Sequence, residues 1–340
     1  MAKRPTITDL AKEAGVSVAT VDRVLNRRLP VKDGTALRVV AAAEAIGYHA
    51  TGLLKQRISD LPARTLGFLL QKRNDIFYRA LADSLAAATR DAGFMRGKPV
   101  IDFVDELVPA TIANKLRELA ARADAIAVVA VDHPHVHAAI AELAAEGTPV
   151  FTLLTDVTAP TRAGYIGIDS RKAGRTAAWA ISRLARGDGK IGVIVGTHRY
   201  QGQELAEISF RAYFREHAPQ FQLLETIVDL EDDRIAYEAT LDLIGANRDL
   251  RGIYNAGGGM QGMINALRDE KADVIVVCNE LMPYAREALI DGTIDLVLGT
   301  PLATLSARAV EAMARACDGP TPEGMRQILL PADVFVSENI

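Results

Sequence analysis

Residues 6–26 read Thr6-Ile-Thr-Asp-Leu-Ala-Lys-Glu-Ala-Gly-Val-Ser-Val-Ala-Thr-Val-Asp-Arg-Val-Leu-Asn26, and their spacing decides how the chain begins. Thr6 and Asp9 form a helix start of capping-box type, while Ile7, Leu10, Ala11 and Ala14 repeat at helical spacing. A first helix is expected from about residue 7 to residue 14. Gly15 then supplies the permissive backbone of a tight turn, Val16 fills the angle between helices, and Ser17 caps a second helix running through Asn26. A third helix is expected from Thr35 to Ile46, stopped by Gly47. The pattern is a helix-turn-helix.

Val21, Val24 and Leu25 should face the core, leaving Val18, Ala19, Asp22, Arg23 and Asn26 near the open side. Arg23 can donate two hydrogen bonds to guanine, and Val18 and Ala19 can touch a thymine methyl. Amide groups at the Ser17 helix start suit a phosphate. Thr6 and Thr20 complete the DNA-facing set expected in this segment.

The charge distribution agrees. Residues 1–60 hold ten Lys and Arg against six Asp and Glu, in a chain whose formal net charge is −4. A basic head on an acidic body is expected where one small domain meets phosphates. Cys278 and Cys317 are the only cysteines, which indicates neither a disulfide framework nor a zinc site. No run of about 18 apolar residues and no basic start followed by an apolar stretch occurs, so a cytoplasmic protein with no membrane partner is expected.

The run Thr6–Asn26, together with Ala41-Ala42-Ala43-Glu44-Ala-Ile-Gly-Tyr48, closely resembles the DNA-binding domain of the LacI/GalR repressor family. The resemblance implies a homodimer on a pseudo-palindromic double-stranded operator, recognition helices in successive major grooves and hinge helices in the minor groove. It puts Val18, Ala19 and Arg23 on base-reading positions. The chain departs from the family pattern in three places. Asp22 stands where Ser is usual, bringing a negative charge close to DNA or a partner to Arg23. The hinge, Thr51-Gly-Leu-Leu-Lys-Gln-Arg-Ile58, lacks a Pro-Asn start and carries Arg57 about where an apolar wedge is expected, with Leu53, Leu54 and Ile58 as substitutes. Lys32-Asp33-Gly34 interrupts the loop before the third helix. Pro62 stops helical continuation, giving a helix-turn-helix domain over 1–50 and a hinge and linker over 51–63.

From Arg64 onward short apolar runs alternate with helical patterns. Strands are expected at Thr65–Leu70, Val100–Val104, Ala125–Val131, Val150–Leu154, Tyr165–Ile168, Ile191–Val195, Ile227–Val228, Gly252–Tyr254, Val274–Val277 and Leu296–Leu298. This alternation implies an α/β class with parallel sheets, and ligands beyond the carboxyl ends of the strands. The region resembles the periplasmic-binding-protein fold that LacI/GalR members carry as an effector domain. That resemblance implies three crossings between two lobes, the first over about 64–157 and 288–318, the second over about 158–287 and 319–340, with a ligand between them.

Gln71-Lys-Arg-Asn74-Asp75-Ile-Phe77-Tyr78 follows the first strand and resembles the Asn-x-Phe-Phe region of ribose-type binding domains. Planar amides and carboxylates suit sugar hydroxyls, and an aromatic suits the apolar ring face, although Phe77 and Tyr78 are equally read as helix packing. Asp156 and Asn279, at strand ends, are expected to bind hydroxyls, and Thr300 follows the strand Leu296–Leu298. Asp169 is read first as a helix cap. Where the family often has Arg, Ala206 precedes Phe210, so Glu204 or Glu207 would serve with opposite charge, which disfavours an acidic effector. The family's frequent Asn-Asp pair is replaced by Ala256-Gly257-Gly258-Gly259-Met260, whose backbone can approach a ligand closely.

Two alternatives compete. Gly257, Gly259 and Gly262 satisfy G-x-G-x-x-G after an apparent strand, as an NAD-dependent oxidoreductase requires, but Asp273 and Glu280 are poorly placed for the acid about 20 residues on at the next strand's end, and no convincing proton-donor constellation accompanies the match. A sugar-binding protein without regulatory role leaves residues 1–60 unexplained. His133, His135 and His137 alternate around Pro134, which reads as a helix-start cluster before a metal site. No catalytic residue, cofactor or metal is assigned, and the expected function is a sugar-responsive repressor that is not an enzyme.

Overall fold

The computed structural model describes residues 5–26, 33–48, 61–319 and 327–340. The head contains α1 (Ile7–Glu13), α2 (Val18–Asn26) and α3 (Asp33–Ala45). The expected third helix thus begins two residues early. Thr6 and Asp9 make the full capping box, and Gly15 takes a positive φ of 64°, as the turn between helices requires. Gly47 does the same after α3 at φ 65°, where Tyr48 donates its backbone N–H to Ala43. Leu10, Val21 and Val39 are fully buried, one from each helix, and hold the three together.

The body then runs β1 (Ala63–Gln71), α4 (Ile76–Arg90), β2 (Arg96–Val104), α5 (Pro109–Ala120), β3 (Ala125–Val128), α6 (Pro134–Ala145), β4 (Val150–Leu153) and β5 (Gly164–Ile168). It continues as α7 (Ser170–Leu184), β6 (Gly189–Val195), α8 (Gln201–His217), β7 (Phe221–Leu223), β8 (Ile227–Val228), α9 (Asp233–Ala246) and β9 (Leu250–Asn255). The remainder is α10 (Met260–Glu270), β10 (Ile275–Asn279), α11 (Pro283–Ile290), β11 (Leu296–Gly299), α12 (Leu302–Cys317), β12 (Gln327–Leu330) and β13 (Asp333–Phe335). Every strand expected from the sequence is present. The short β7, β12 and β13 were not expected, because three or four residues carry too little alternation to read.

Among the described residues the strands form two sheets, β12-β5-β4-β3-β1-β2 and β13-β11-β10-β9-β6-β7, with β8 also pairing β6. All pairings are parallel except β11 with β13. Each sheet is buried on both faces by helices, as parallel sheets must be. The strands accordingly read as continuous apolar runs, β3 and β4 being buried at all four positions.

The pairing corrects the lobe boundaries. The segment Gly164–Ile168, expected in the second lobe, pairs with β4 in the first. Conversely, Leu296–Gly299, expected in the first lobe, pairs with β10 in the second, and Gln327–Leu330 pairs with β5 in the first. Each crossing follows the last residue of a strand, after Ile168, Gly299 and Leu330. The physical reason is that a parallel strand delivers the chain to its carboxyl end, which is where the two sheets face one another.

Candidate functional site

The head leaves one face of α2 open. Ser17 Oγ accepts the Thr20 N–H at 3.2 Å and lies 2.9 Å from Thr20 Oγ1, so both hydroxyls fix the start of α2. With Val21 buried, Val18, Ala19 and Arg23 stand exposed on the opposite side, while Thr20 and Asp22 are half-buried. Thr6 is tied to Asp9, its N–H donating to Oδ2 at 2.8 Å. The side chain of Asn26, and Leu53, Leu54 and Arg57 altogether, lie outside the described residues.

Between the lobes lies a cavity of about 230 Å³, lined by strand ends from both sheets. Five expected residues reach it: Asp75, Phe77, Tyr78, Asn279 and Thr300. Asp75 also caps α4, its Oδ1 accepting the N–H groups of Phe77 at 2.8 Å and Tyr78 at 3.2 Å. That bond turns both aromatics at the helix entrance. Asn279 is oriented by donating from Nδ2 to the Ala256 carbonyl at 3.1 Å. Thr300 donates from Oγ1 to Glu280 at 2.6 Å.

Four expected effector residues are placed elsewhere. Asn74 is exposed and outside the lining. Asp156 is buried in a two-bond pair with Arg162, Nε to Oδ1 at 2.6 Å and Nη2 to Oδ2 at 2.5 Å, and also accepts from Thr152 Oγ1 at 2.7 Å. Its oxygens are spent on the first lobe's own loop, a charge-assisted arrangement that leaves nothing for a ligand. Glu204 lies on α8 just past Gln203, which faces the cavity; one residue of helix is about 100° of rotation, so Glu204 points to a shallow outer pocket with His198 and Asp132. Glu207 is buried and holds His198, Arg211 and Thr226. Asp169 caps α7, accepting the Lys172 N–H at 3.2 Å.

The sequence reading missed the polar residues that dominate the cavity. Lys72 Nζ, at the end of β1, reaches Glu231 Oε2 of the other lobe at 2.7 Å. Glu231 Oε1 in turn accepts from Gln203 Nε2 at 3.0 Å, and Gln203 Oε1 accepts the N–H groups of Gly196 and Thr197. Asp233, Glu280, Tyr200 and Tyr284 complete the polar wall. Burial pushes the Glu280 carboxyl up to about 7, against two hydrogen bonds from Thr300. All lie just beyond strand ends or at following helix starts, so the strand-end rule would have found them had it been applied to every loop.

The glycine turn also lines the cavity, with Gly259 at φ 65°. A Cβ on Gly258 would meet Glu231, and one on Gly259 would meet Asp229. Carboxylates therefore stand where a dinucleotide's pyrophosphate would need donors, which argues against the oxidoreductase reading. Among the histidines, His133 caps α6 by accepting the His135 N–H, its ring stacked on that of His135, while His137 pairs with Asp132. Among the described residues no helix is long and apolar enough to cross a membrane.

Known proteins match both parts. The family model for bacterial regulatory proteins of the lacI family matches residues 6–51, and that for a periplasmic binding protein domain matches residues 66–321. The regulator GalR of Salmonella typhimurium is 25% identical over 340 residues, covering 94% of this chain and 91% of GalR. MalR of Streptomyces coelicolor is 27% identical over 199 residues, 57% of this chain and 54% of MalR, so that alignment spans about half of the relative. In structure, the glucose-galactose binding protein GanP of Geobacillus stearothermophilus superposes with a TM-score of 0.73 at 17% identity, over 82% of this chain and 99% of GanP. A solute-binding protein of Agrobacterium vitis bound to α-D-tagatopyranose gives 0.74 at 19% identity, over 81% and 95%. The chain carries a helix-turn-helix head of the lacI family over residues 6–51 and belongs, through its body over residues 66–321, to the periplasmic binding protein domain family.

Proposed function

We propose that the chain is a cytoplasmic transcriptional repressor that binds operator DNA as a homodimer and is controlled by a small hydroxylated effector held between its lobes. The observation that carries this reading is the joint presence, in one chain, of an exposed Val18, Ala19 and Arg23 face and a two-lobed cavity with aromatic and carboxylate walls. A ligand that prefers one arrangement of the lobes shifts the population toward it, and with it the geometry in which two heads meet DNA. The direct Lys72–Glu231 link between lobes supports a body with two discrete arrangements, since it must be made or broken as they move. GanP is a glucose-galactose binding protein and the Agrobacterium vitis protein holds α-D-tagatopyranose, which supports a sugar or sugar derivative here. Asn279, Thr300, Phe77 and Tyr78 supply amide, hydroxyl and ring surfaces for it.

The test is a mobility shift of the full chain on duplexes selected from a random pool, at several salt concentrations. Binding should weaken steeply as salt rises, and a monosaccharide and polyol screen should reveal a compound that changes the affinity. Equal affinity for all duplexes at every salt concentration would overturn the DNA-binding half; a constant affinity across the whole screen would overturn the effector half.

A further inference from the structure

The walls of the cavity are unequal in charge. Asp75, Glu231, Asp233 and Glu280 line it, and Lys72 is the one basic side chain among the lining residues. Lys72 is already engaged by Glu231, 2.7 Å away. Asp75, Asp233 and Glu280 have no ion-pair partner among the described residues. Carboxylates that line a half-enclosed space lose hydration, and a ligand of opposite charge offsets that cost.

A second observation is independent of charge. Tyr200 is only 4% exposed and lines the cavity with Tyr78; its hydroxyl interacts with that of Tyr78 but completes no well-formed hydrogen bond among the described residues. A buried hydroxyl left unmatched is a group awaiting a ligand. Tyr78, Tyr284 and Phe77 line the same cavity, and aromatic rings attract a cation at their faces, the more so once water is excluded.

We propose that the effector is a polyhydroxylated amine of amino-sugar or amino-cyclitol type, bound as its ammonium ion, with the charge among the carboxylates and a hydroxyl on Tyr200. This rests on the effector half of the proposed function and narrows it. Sugar phosphates and sugar acids are excluded by the same charge argument.

Full-length protein titrated by calorimetry tests the idea. The probes are D-glucosamine, D-galactosamine, D-mannosamine and 2-deoxystreptamine, set against D-glucose, D-galactose, D-mannose, myo-inositol, N-acetyl-D-glucosamine and D-glucosamine 6-phosphate. At least one free amine should bind ten-fold or more tightly than its neutral parent, and acetylation or phosphorylation should abolish that gain. The combined variant Asp233→Asn with Glu280→Gln, checked for folding by circular dichroism, should lower the amine-to-parent ratio at least five-fold. A neutral parent binding as well as its amine would overturn the amine while leaving a sugar-responsive repressor intact. Binding of none of these compounds would overturn the amine, with the effector reading still judged on the wider sugar and polyol screen and DNA binding on its own assay.

Discussion

Lys72 Nζ lies 2.7 Å from Glu231 Oε2, joining the end of β1 in one lobe to the loop after β8 in the other. Both residues take left-handed backbone, φ 41° for Lys72 and 56° for Glu231, so the chain is bent at each side to bring the charges together. Two weaker links also span the lobes, Gly202 N–H to Thr155 Oγ1 and Asp132 N–H to the Arg199 carbonyl, both at 3.3 Å. The ion pair is the one with a charge on each side.

Lys72→Met should therefore favour separated lobes. Because Lys72 keeps about a third of its surface exposed, the pair is screened, and a double-mutant cycle with Glu231→Gln should give a coupling of about 0.5–1 kcal/mol. Small-angle scattering of the unliganded protein should show a larger radius of gyration for Lys72→Met. An unchanged radius would mean that the pair does not hold the lobes.

Asp156 and Arg162 tell the opposite story, a pair sealed inside one lobe, with side chains 7% and 3% exposed. Removing one partner leaves the other charge buried, which typically costs about 3–5 kcal/mol. Asp156→Asn should lower the melting temperature strongly yet leave effector affinity within two-fold, measured below the transition. A large loss of affinity with unchanged melting would restore Asp156 to the ligand site.

These two pairs show where the sequence was legible. The three helices of the head could be read to within about two residues, because a capping box, a turn glycine and helical spacing are local signals within about twenty residues. All strands but β7, β12 and β13 were legible for the same reason. Sheet membership was not, since Gly164–Ile168 lies between β4 and β12, and its pairing with Gln327–Leu330 joins segments far apart in sequence. Asp156 looked like a ligand residue because it follows a strand, and Arg162, six positions on, gave no periodic hint that it would fold back. Lys72 and Glu231 are 159 residues apart, and no local pattern announces such a meeting.

Arg23 is exposed on α2, and Ser17 holds the start of that helix. The two should fail differently. If Arg23 reads a base as proposed, Arg23→Ala removes a contact worth about 1–3 kcal/mol, so operator affinity should fall between about five- and 150-fold, with sequence preference relaxed at one position. Ser17→Ala removes a cap worth about 1 kcal/mol, which should lower the head's thermal stability and weaken all duplexes alike. Binding of selected and scrambled duplexes by both variants separates the cases. Equal affinity of Arg23→Ala and the unaltered chain for the selected duplex would remove Arg23 from the interface.

Asp229 supplies a pH test. It is fully buried under the glycine turn; Oδ1 accepts the Glu231 N–H at 2.8 Å, while Oδ2 has no partner among the described residues. Burial pushes its pKa up to about 7, with the Glu231 charge adding to the rise and Lys72 opposing it. In the unfolded chain the same group ionises near the ordinary value of about 3.9. Between these two values the folded state binds more protons than the unfolded state, so stability falls as pH rises through the window and is fully present below it. Asp229→Asn keeps the Oδ1 acceptor and cannot ionise. Subtracting its unfolding free energies from those of the unaltered chain cancels groups common to both, including Glu280, which titrates in the same range. The variant should gain on the parent steadily from about pH 5 to pH 7, by about 1.4 kcal/mol per pH step of one, and then run parallel. Parallel curves across the whole range would mean that Asp229 is ionised in the fold, and that water or a cation reaches Oδ2 beneath the turn.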